Sequence, residues 1–190
     1  DGLNFGSAGK NFMNLYQHAN VNKYDYVALS DQDDIWKENK LIKSINSINS
    51  NNVDFCSSYV KAFWQNGKKS VLKQNTDITD YDFIFEGAGQ GCTFVMKKDF
   101  FKKFTIFFKK NYIYKNTNFY YHDWLIYIYA RMSNHSWHHI KESLMDYRQH
   151  HNNDTGAKVS LWGITARIKK IRNGWYKKQI AEALKISFLA

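Results

Sequence analysis

Hydrophobic spacing in the first fifty residues predicts two helices around one strand. A period of 3.6 residues predicts a short amphipathic helix whose apolar face carries Phe12, Leu15, Tyr16 and Ala19. The apolar run YDYVALS predicts a buried strand that ends at the acidic stretch SDQDD. The stretch IWKENKLIKSINSIN predicts a second helix with an apolar face formed by Leu41, Ile42, Ile45 and Ile48.

Helical and extended patterns continue to alternate along the rest of the chain. VDFCSSYVKAFW, the turn QNGKK and SVLK predict two strands, and GAGQG precedes a third, CTFVMK. Residues 98–110 predict a helix, and YYHDWLIYIYARM predicts a mostly buried helix with His122 and Asp123 at its start. WHHIK and SLMDYRQH predict two short extended pieces, and two basic amphipathic helices, hinged at Asn173 and Gly174, follow from Leu161. This alternation indicates an α/β protein.

Composition limits the classes of protein that the chain can belong to. Its 190 residues suffice for one domain with a core, and an apolar content of 44% excludes wholesale disorder. No run reaches the roughly 18–20 apolar residues that cross a bilayer. The cysteines, Cys56 and Cys92, lack a framework spacing, which favours reduced thiols. The net charge of +10 favours an anionic partner, either nucleic acid, membrane or phosphorylated ligand.

Three carboxylates, those of Asp31, Asp33 and Asp34, crowd together after the first predicted strand. Ligands of open α/β sheets collect beyond the carboxyl ends of strands, and hard oxygen ligands suit Mg²⁺ or Mn²⁺. An EF-hand is excluded because Trp36 stands where that motif requires glycine. The local pattern leaves open a divalent-cation site or a solvated helix N-cap.

Three other stretches carry candidate chemistry, each with a structural alternative. The glycines of GAGQG allow a close approach of backbone to ligand, or only a turn. Asp123 can serve as a general base or as a helix cap. In the YRQHH stretch, Arg148 could bind a phosphate. His150 and His151 could ligate a metal or could be ordinary surface or core histidines.

Taken together and in order, SDQDDIW, GAGQGCTFVM, HDWLIYIYA and LMDYRQHHNN resemble the family 2 glycosyltransferases. The likeness is to the rhamnosyltransferase-like branch, which builds bacterial surface and cell-wall polysaccharides, and it covers roughly residues 4–156. It implies a GT-A-like fold, a mixed sheet flanked by helices, over residues 1–160, with a basic helical tail at 161–190. It also implies inverting transfer of a sugar from a UDP- or dTDP-sugar to a hydroxyl of a glycan or lipid-linked glycan acceptor.

The resemblance also assigns roles to individual residues. Asp31 and Asp33 match the DXD motif, Asp34 extends it, and Asp123 matches the catalytic base. The expected ligands of a Mn²⁺ or Mg²⁺ ion are Asp33, Asp31 and His150. The residues expected at the nucleotide sugar are Asp31, Asp33, Gly89, Gly91 and Arg148.

The family usually begins with a βαβ segment that holds the nucleotide base, and the resemblance places that segment before Asp1. The alternative is therefore an incomplete piece that binds only metal or a partner. A basic nucleic-acid-binding domain is a weaker alternative, because the lysines form no recognised motif, and we expect no nucleic-acid partner. The expected location is the cytoplasm. The tail either lies on anionic lipid at the inner face of the plasma membrane or packs against the domain.

Overall fold

The computed structural model describes residues 5–73, 78–150 and 168–190. Its helices are α1 (Ala8–His18), α2 (Lys40–Ser50), α3 (Asp82–Phe85), α4 (Lys98–Lys110), α5 (Ile113–Asn116), α6 (His122–Met132) and α7 (Trp175–Ser187). Its strands are β1 (Tyr26–Ala28), β2 (Ile35–Trp36), β3 (Phe55–Trp64), β4 (Lys69–Leu72), β5 (Val95–Lys97) and β6 (Trp137–Gln149). The predicted helices at residues 98–110 and after Tyr121 are confirmed, as is the β3–β4 hairpin.

Within the described residues, the strands form one mixed sheet in the order β1-β5-β3-β6-β2, with β4 also paired to β3. The central strands β3 and β6 run parallel, and the other neighbouring strands are antiparallel. Helices flank this sheet, which confirms the predicted α/β class and is consistent with a GT-A-like fold.

Strand β6 is continuous where the sequence predicted two extended pieces. Its register against β3 passes from the pair Ser58–Ile140 directly to Tyr59–Ser143. Lys141 and Glu142 therefore form a bulge, which lets two exposed charged side chains interrupt the hydrophobic pattern without ending the strand.

The predicted apolar face of α2 is confirmed at Ile48 and wrong at Leu41 and Ile42. Leu41 and Ile42 are 42% and 56% exposed, whereas Lys40, Ser44 and Ile48 are buried. The buried residues are still spaced by four positions. The face of α2 that packs on the protein is therefore rotated away from the face that carries Leu41 and Ile42.

The main core is largely aromatic, and it fixes the start of α6. The Tyr16 ring of α1 meets the edges of Phe104 and Phe108 of α4, at centroid distances of 5.2 and 5.9 Å. Helix α6 is buried from Trp124 to Ala130. Because such cores are densely packed, His122 and Asp123 in the first turn of α6 occupy a well-defined position.

Helix α3 lies just before residues 87–91, GAGQG, hereafter the glycine-rich loop, and it is also anchored to α6. Tyr127 donates a hydrogen bond of 2.5 Å to Asp82 Oδ2, and Arg131 forms an ion pair with the same carboxylate. Trp124 Nε1 donates to the Phe83 carbonyl at 2.7 Å. These contacts hold the beginning of the glycine-rich loop against the helix that carries Asp123.

Helix α7 packs against the domain. Gln179 is buried, accepting the Tyr120 N–H at 2.8 Å and donating to the Asn118 carbonyl at 3.2 Å. Gly174, at φ +67°, separates α7 from helical residues 168–172, where the sequence predicted a hinge. The rest of the first predicted tail helix, residues 161–167, lies outside the described residues. No helix in the described ranges is both long and apolar enough to cross a membrane.

Candidate active site

The segment that carries the three acids joins opposite edges of the sheet. Strand β1 ends at Ala28 on one edge, and β2 begins at Ile35 on the other. Residues 29–34, hereafter the acid loop, therefore pass over the ends of the strands between them. This position agrees with the prediction that the acids lie beyond a strand end.

Strand β6 brings two predicted site residues to the acid loop. His150 Nε2 lies 2.9 Å from Asp33 Oδ2, although 117 positions separate them in the sequence. Arg148 donates through Nε to the Asp33 carbonyl at 2.9 Å, and its backbone N–H donates to Asp34 Oδ1 at 3.1 Å. Arg148 thus holds the loop backbone, and its predicted contact with phosphate stays a prediction.

A second group of side chains lies on the inner side of the acid loop. Single ligand atoms of Asp31, Asp34 and Cys92 all lie within 4.8 Å of one another. Burial raises the pKa of Asp31 to about 6, and the charges of Asp34, Asp33 and Asp123 add to this effect. The charge of Asp123 therefore acts on Asp31 of the acid loop.

Cys92 enters this group as a buried thiol. Burial raises the pKa of its thiol well above the ordinary value, and the charges of Asp31 and Asp34 raise it further. The thiolate is the form that ligates metals. A Cys92 thiol that keeps its proton is a neutral neighbour of the Asp31 and Asp34 carboxylates, and Asp34 Oδ2 is buried without a hydrogen-bond partner in the described residues.

The structure brings two of the three predicted ligands together. Asp33 and His150 place a carboxylate oxygen and an imidazole nitrogen 2.9 Å apart. Asp31 does not join them, because the one described group of three candidate ligand atoms within 4.8 Å of one another is Asp31, Asp34 and Cys92. Carboxylate oxygens suit Mg²⁺ and Mn²⁺, and imidazole is a common additional ligand for transition metals. The assignment of Asp31, Asp33 and His150 as ligands stays a prediction.

Asp123 is held at the first turn of α6 by two backbone donors. Its Oδ2 accepts the Gly91 N–H at 3.0 Å, and its Oδ1 accepts the Trp124 N–H at 2.8 Å. The neighbouring His122 is buried, with Nδ1 2.7 Å from the Tyr16 hydroxyl and its ring stacked on Phe12 at 4.0 Å. The carboxylate orientation is therefore fixed, as a positioned general base requires.

The two predicted glycines meet different local requirements. A Cβ at Gly91 would lie 2.6 Å from His122 Cε1 and 2.9 Å from Asp123 Cβ, so only glycine allows this approach. Gly89 has φ +112°, in the region that favours glycine. Their predicted positions near the donor sugar and acceptor stay predictions.

Lys40 is part of the site but was not predicted from the sequence. It is 1% exposed, and its Nζ donates to the Cys92 carbonyl at 2.7 Å. Burial lowers the pKa of Lys40 to about 8. The four-residue spacing of Lys40, Ser44 and Ile48 was its only signal, and the apolar side chains between them obscured it.

No family model matches the chain. The chain is 39% identical over 181 residues to dTDP-rhamnosyl transferase RfbG from Shigella flexneri. The predicted resemblance to a rhamnosyltransferase is confirmed. The match covers 94% of this chain, so every candidate residue between Asp31 and His150 lies within it. The chain spans 61% of the length of that relative.

Proposed function

We propose that this chain forms the metal-binding and acceptor-side part of a glycosyltransferase. The enzyme transfers a sugar from a dTDP-sugar to a hydroxyl of a glycan in polysaccharide synthesis. The observation that carries the proposal is the contact between Asp33 and His150 at the acid loop, and it is supported by an Asp123 carboxylate that the Gly91 N–H holds in place. The Shigella relative is named as a dTDP-rhamnosyl transferase, which supports dTDP over UDP.

In this proposal the acid loop binds the diphosphate of the donor. Asp33, Asp31 and His150 would hold a Mn²⁺ or Mg²⁺ ion. When bound, such an ion stabilises the charge that develops on the leaving diphosphate. Arg148 holds the Asp33 carbonyl and adds a fixed positive charge beside the loop.

Asp123 acts as the general base toward the acceptor. Its carboxylate takes the proton of the acceptor hydroxyl while that oxygen forms a bond to the anomeric carbon of the donor. The bond from this carbon to the diphosphate breaks, and the leaving oxygen keeps the electron pair. Gly91 and Trp124 hold the carboxylate in one orientation through their N–H groups. A direct displacement of this kind inverts the anomeric centre and requires no enzyme nucleophile.

Calorimetry of the chain with dTDP and with UDP, in the presence and absence of Mn²⁺, tests this proposal. We expect Mn²⁺-dependent binding that is tighter for dTDP. Because the pKa of Asp31 is about 6, protons compete with the metal at lower pH. Affinity should be level above pH 7 and fall about tenfold for each pH unit below 6. Equal binding without metal would contradict the proposal.

We further propose that the start of the tail lies on an anionic membrane surface and brings the enzyme to a lipid-linked acceptor. Lys169, Lys170 and Lys178 surround Trp175 at a cavity of about 370 Å³. Ile171, in the same segment, is 63% exposed. Basic and apolar side chains together favour anionic lipid, whereas the buried face of α7 already packs on the domain.

Sedimentation with phosphatidylglycerol-containing vesicles tests the membrane proposal. We expect wild type to pellet with these vesicles and not with pure phosphatidylcholine. Lys169→Glu/Lys170→Glu should weaken binding by about tenfold or more, since each basic residue near the surface contributes about 1 kcal/mol. The matched control is Lys109→Glu/Lys110→Glu, an exposed lysine pair on α4. Equal loss in both variants would show that only the net charge matters.

A further inference from the structure

Lys40 occupies an unusual position for a lysine, between the acid loop and the turn that follows the glycine-rich loop. Its Nζ lies 3.7 Å from the centroid of the Trp36 ring, just beyond the acids, and 3.8 Å from Met145 Sδ. The same nitrogen donates to the Cys92 carbonyl, 52 residues away in the sequence. One buried ammonium group thus contacts three separate segments of the site.

Packing alone does not account for a lysine at this position. Burying an ammonium group is costly unless a carboxylate pairs with it. In the described part of the chain, no carboxylate lies within ion-pair distance of Lys40 Nζ, although the charges of Asp34 and Asp31 act on it from farther away. A methionine would fill similar space without this cost.

The turn that Lys40 contacts also supports the proposed base. The Gly91–Thr93 turn supplies the Cys92 carbonyl to Lys40 and the Gly91 N–H to Asp123 Oδ2. The Cys92 side chain of this turn reaches Asp31 and Asp34. A displacement of the turn would therefore change the hydrogen bond to Asp123 and the packing under the acid loop at the same time.

We propose that Lys40 is a positioning residue that fixes the Gly91–Thr93 turn between the acid loop and Asp123. It sets the spacing between the proposed diphosphate site and the proposed base, and it does not contact the substrate itself. This role rests on the proposed function for its effect on rate. Its effect on the Gly91–Asp123 hydrogen bond does not depend on that function.

Lys40→Met tests the role, with Lys43→Met as the matched control. Lys43 lies on the same helix but is only partly buried, and it pairs with the exposed Glu142. The first measurement is the Gly91 amide proton shift by nuclear magnetic resonance, which reports its hydrogen bond to the carboxylate. We expect this shift to move toward that of a free amide in Lys40→Met and to stay at the wild-type value in Lys43→Met.

The second measurement is the release of dTDP from dTDP-rhamnose, with water as the acceptor and Mn²⁺ present. Lys40→Met should lower kcat roughly 10- to 100-fold, the usual cost of removing a supporting contact. The KM for the donor should change less than about threefold, because a positioning defect at the base leaves ground-state binding in place. Lys43→Met should match wild type.

Each other outcome has a definite meaning. An unchanged Gly91 shift in a folded Lys40→Met protein would overturn the proposal, and so would an unchanged kcat in an active enzyme. Loss of folding in Lys40→Met would assign the lysine to the core and overturn it too. If wild type neither binds Mn²⁺–dTDP nor releases dTDP, the proposed function fails, and the amide shift still decides the role of Lys40.

Discussion

Asp123→Asn is expected to lower kcat for sugar transfer by roughly 10²- to 10⁴-fold, the contribution of a positioned general base. Asparagine has nearly the same shape and can still accept one backbone N–H, so the start of α6 should stay in place. It cannot take the proton of the acceptor hydroxyl. Binding of dTDP with Mn²⁺ should stay within about threefold of wild type, since uniform binding is not lost. Initial rates and calorimetry on the same preparation check both expectations.

The control for this variant is Asp99→Asn. Asp99 is an exposed aspartate in the first turn of α4, as Asp123 is in the first turn of α6. Its replacement tests the loss of an acid at a helix start, away from the candidate site. If both variants kept the wild-type rate, Asp123 would be only a helix-capping residue and the proposed mechanism would lose its base.

Asp33→Ala is expected to abolish Mn²⁺-dependent dTDP binding. We expect affinity to fall by at least about 100-fold, because losing a residue that only supports a metal ligand already costs about 10- to 100-fold. The substitution removes the carboxylate next to His150 but keeps the backbone carbonyl to which Arg148 donates. The acid loop should therefore keep its conformation while losing a ligand. Calorimetry with and without Mn²⁺ measures the loss directly.

Asp25→Ala is the matched control for Asp33→Ala. Asp25 lies just before β1, its side chain is 90% exposed, and its only described ion pair is a 3.7 Å contact with Lys98. Both variants remove one negative charge from the same part of the chain. A similar decrease in both would point to long-range charge rather than ligation, and unchanged binding in Asp33→Ala would remove Asp33 from the site.

Hydrophobic periodicity correctly predicted the elements in which the buried face is the face that carries the apolar side chains. Helix α4 has the predicted bounds because its phenylalanines face the core at helical spacing. Helix α2 exists where the sequence predicted one, but it begins at Lys40, because Ile35 and Trp36 of the predicted helix form strand β2, and of its predicted apolar face Ile48 alone is fully buried. Lys40 is buried through a contact with the Cys92 carbonyl, which a local pattern cannot show. Likewise, the bulge at Lys141 and Glu142 depends on the register of β6 against β3.

In the candidate site, too, the sequence identified individual residues but not the contacts between segments that are distant in the chain. The sequence motifs singled out Asp33 and His150, and the fold brings these side chains into contact. The motifs did not show that Arg148 holds the backbone of the acid loop or that Cys92 lies close to Asp31 and Asp34. Both features depend on how the ends of distant strands align in the sheet. The type of a residue does not show which distant residues it contacts.

The packing of α7 against the domain fixes the position of the proposed base, Asp123, relative to this helix. Gln179 binds the backbone at Asn118 and Tyr120, and the latter lies three residues before Asp123. If the tail rests on a membrane, this coupling sets the height of Asp123 above the lipid headgroups. A lipid-linked acceptor diffuses only in the plane of the membrane, so its reactive hydroxyl must extend to that height. The length of the glycan already built would then decide which acceptors react, independently of how tightly they bind.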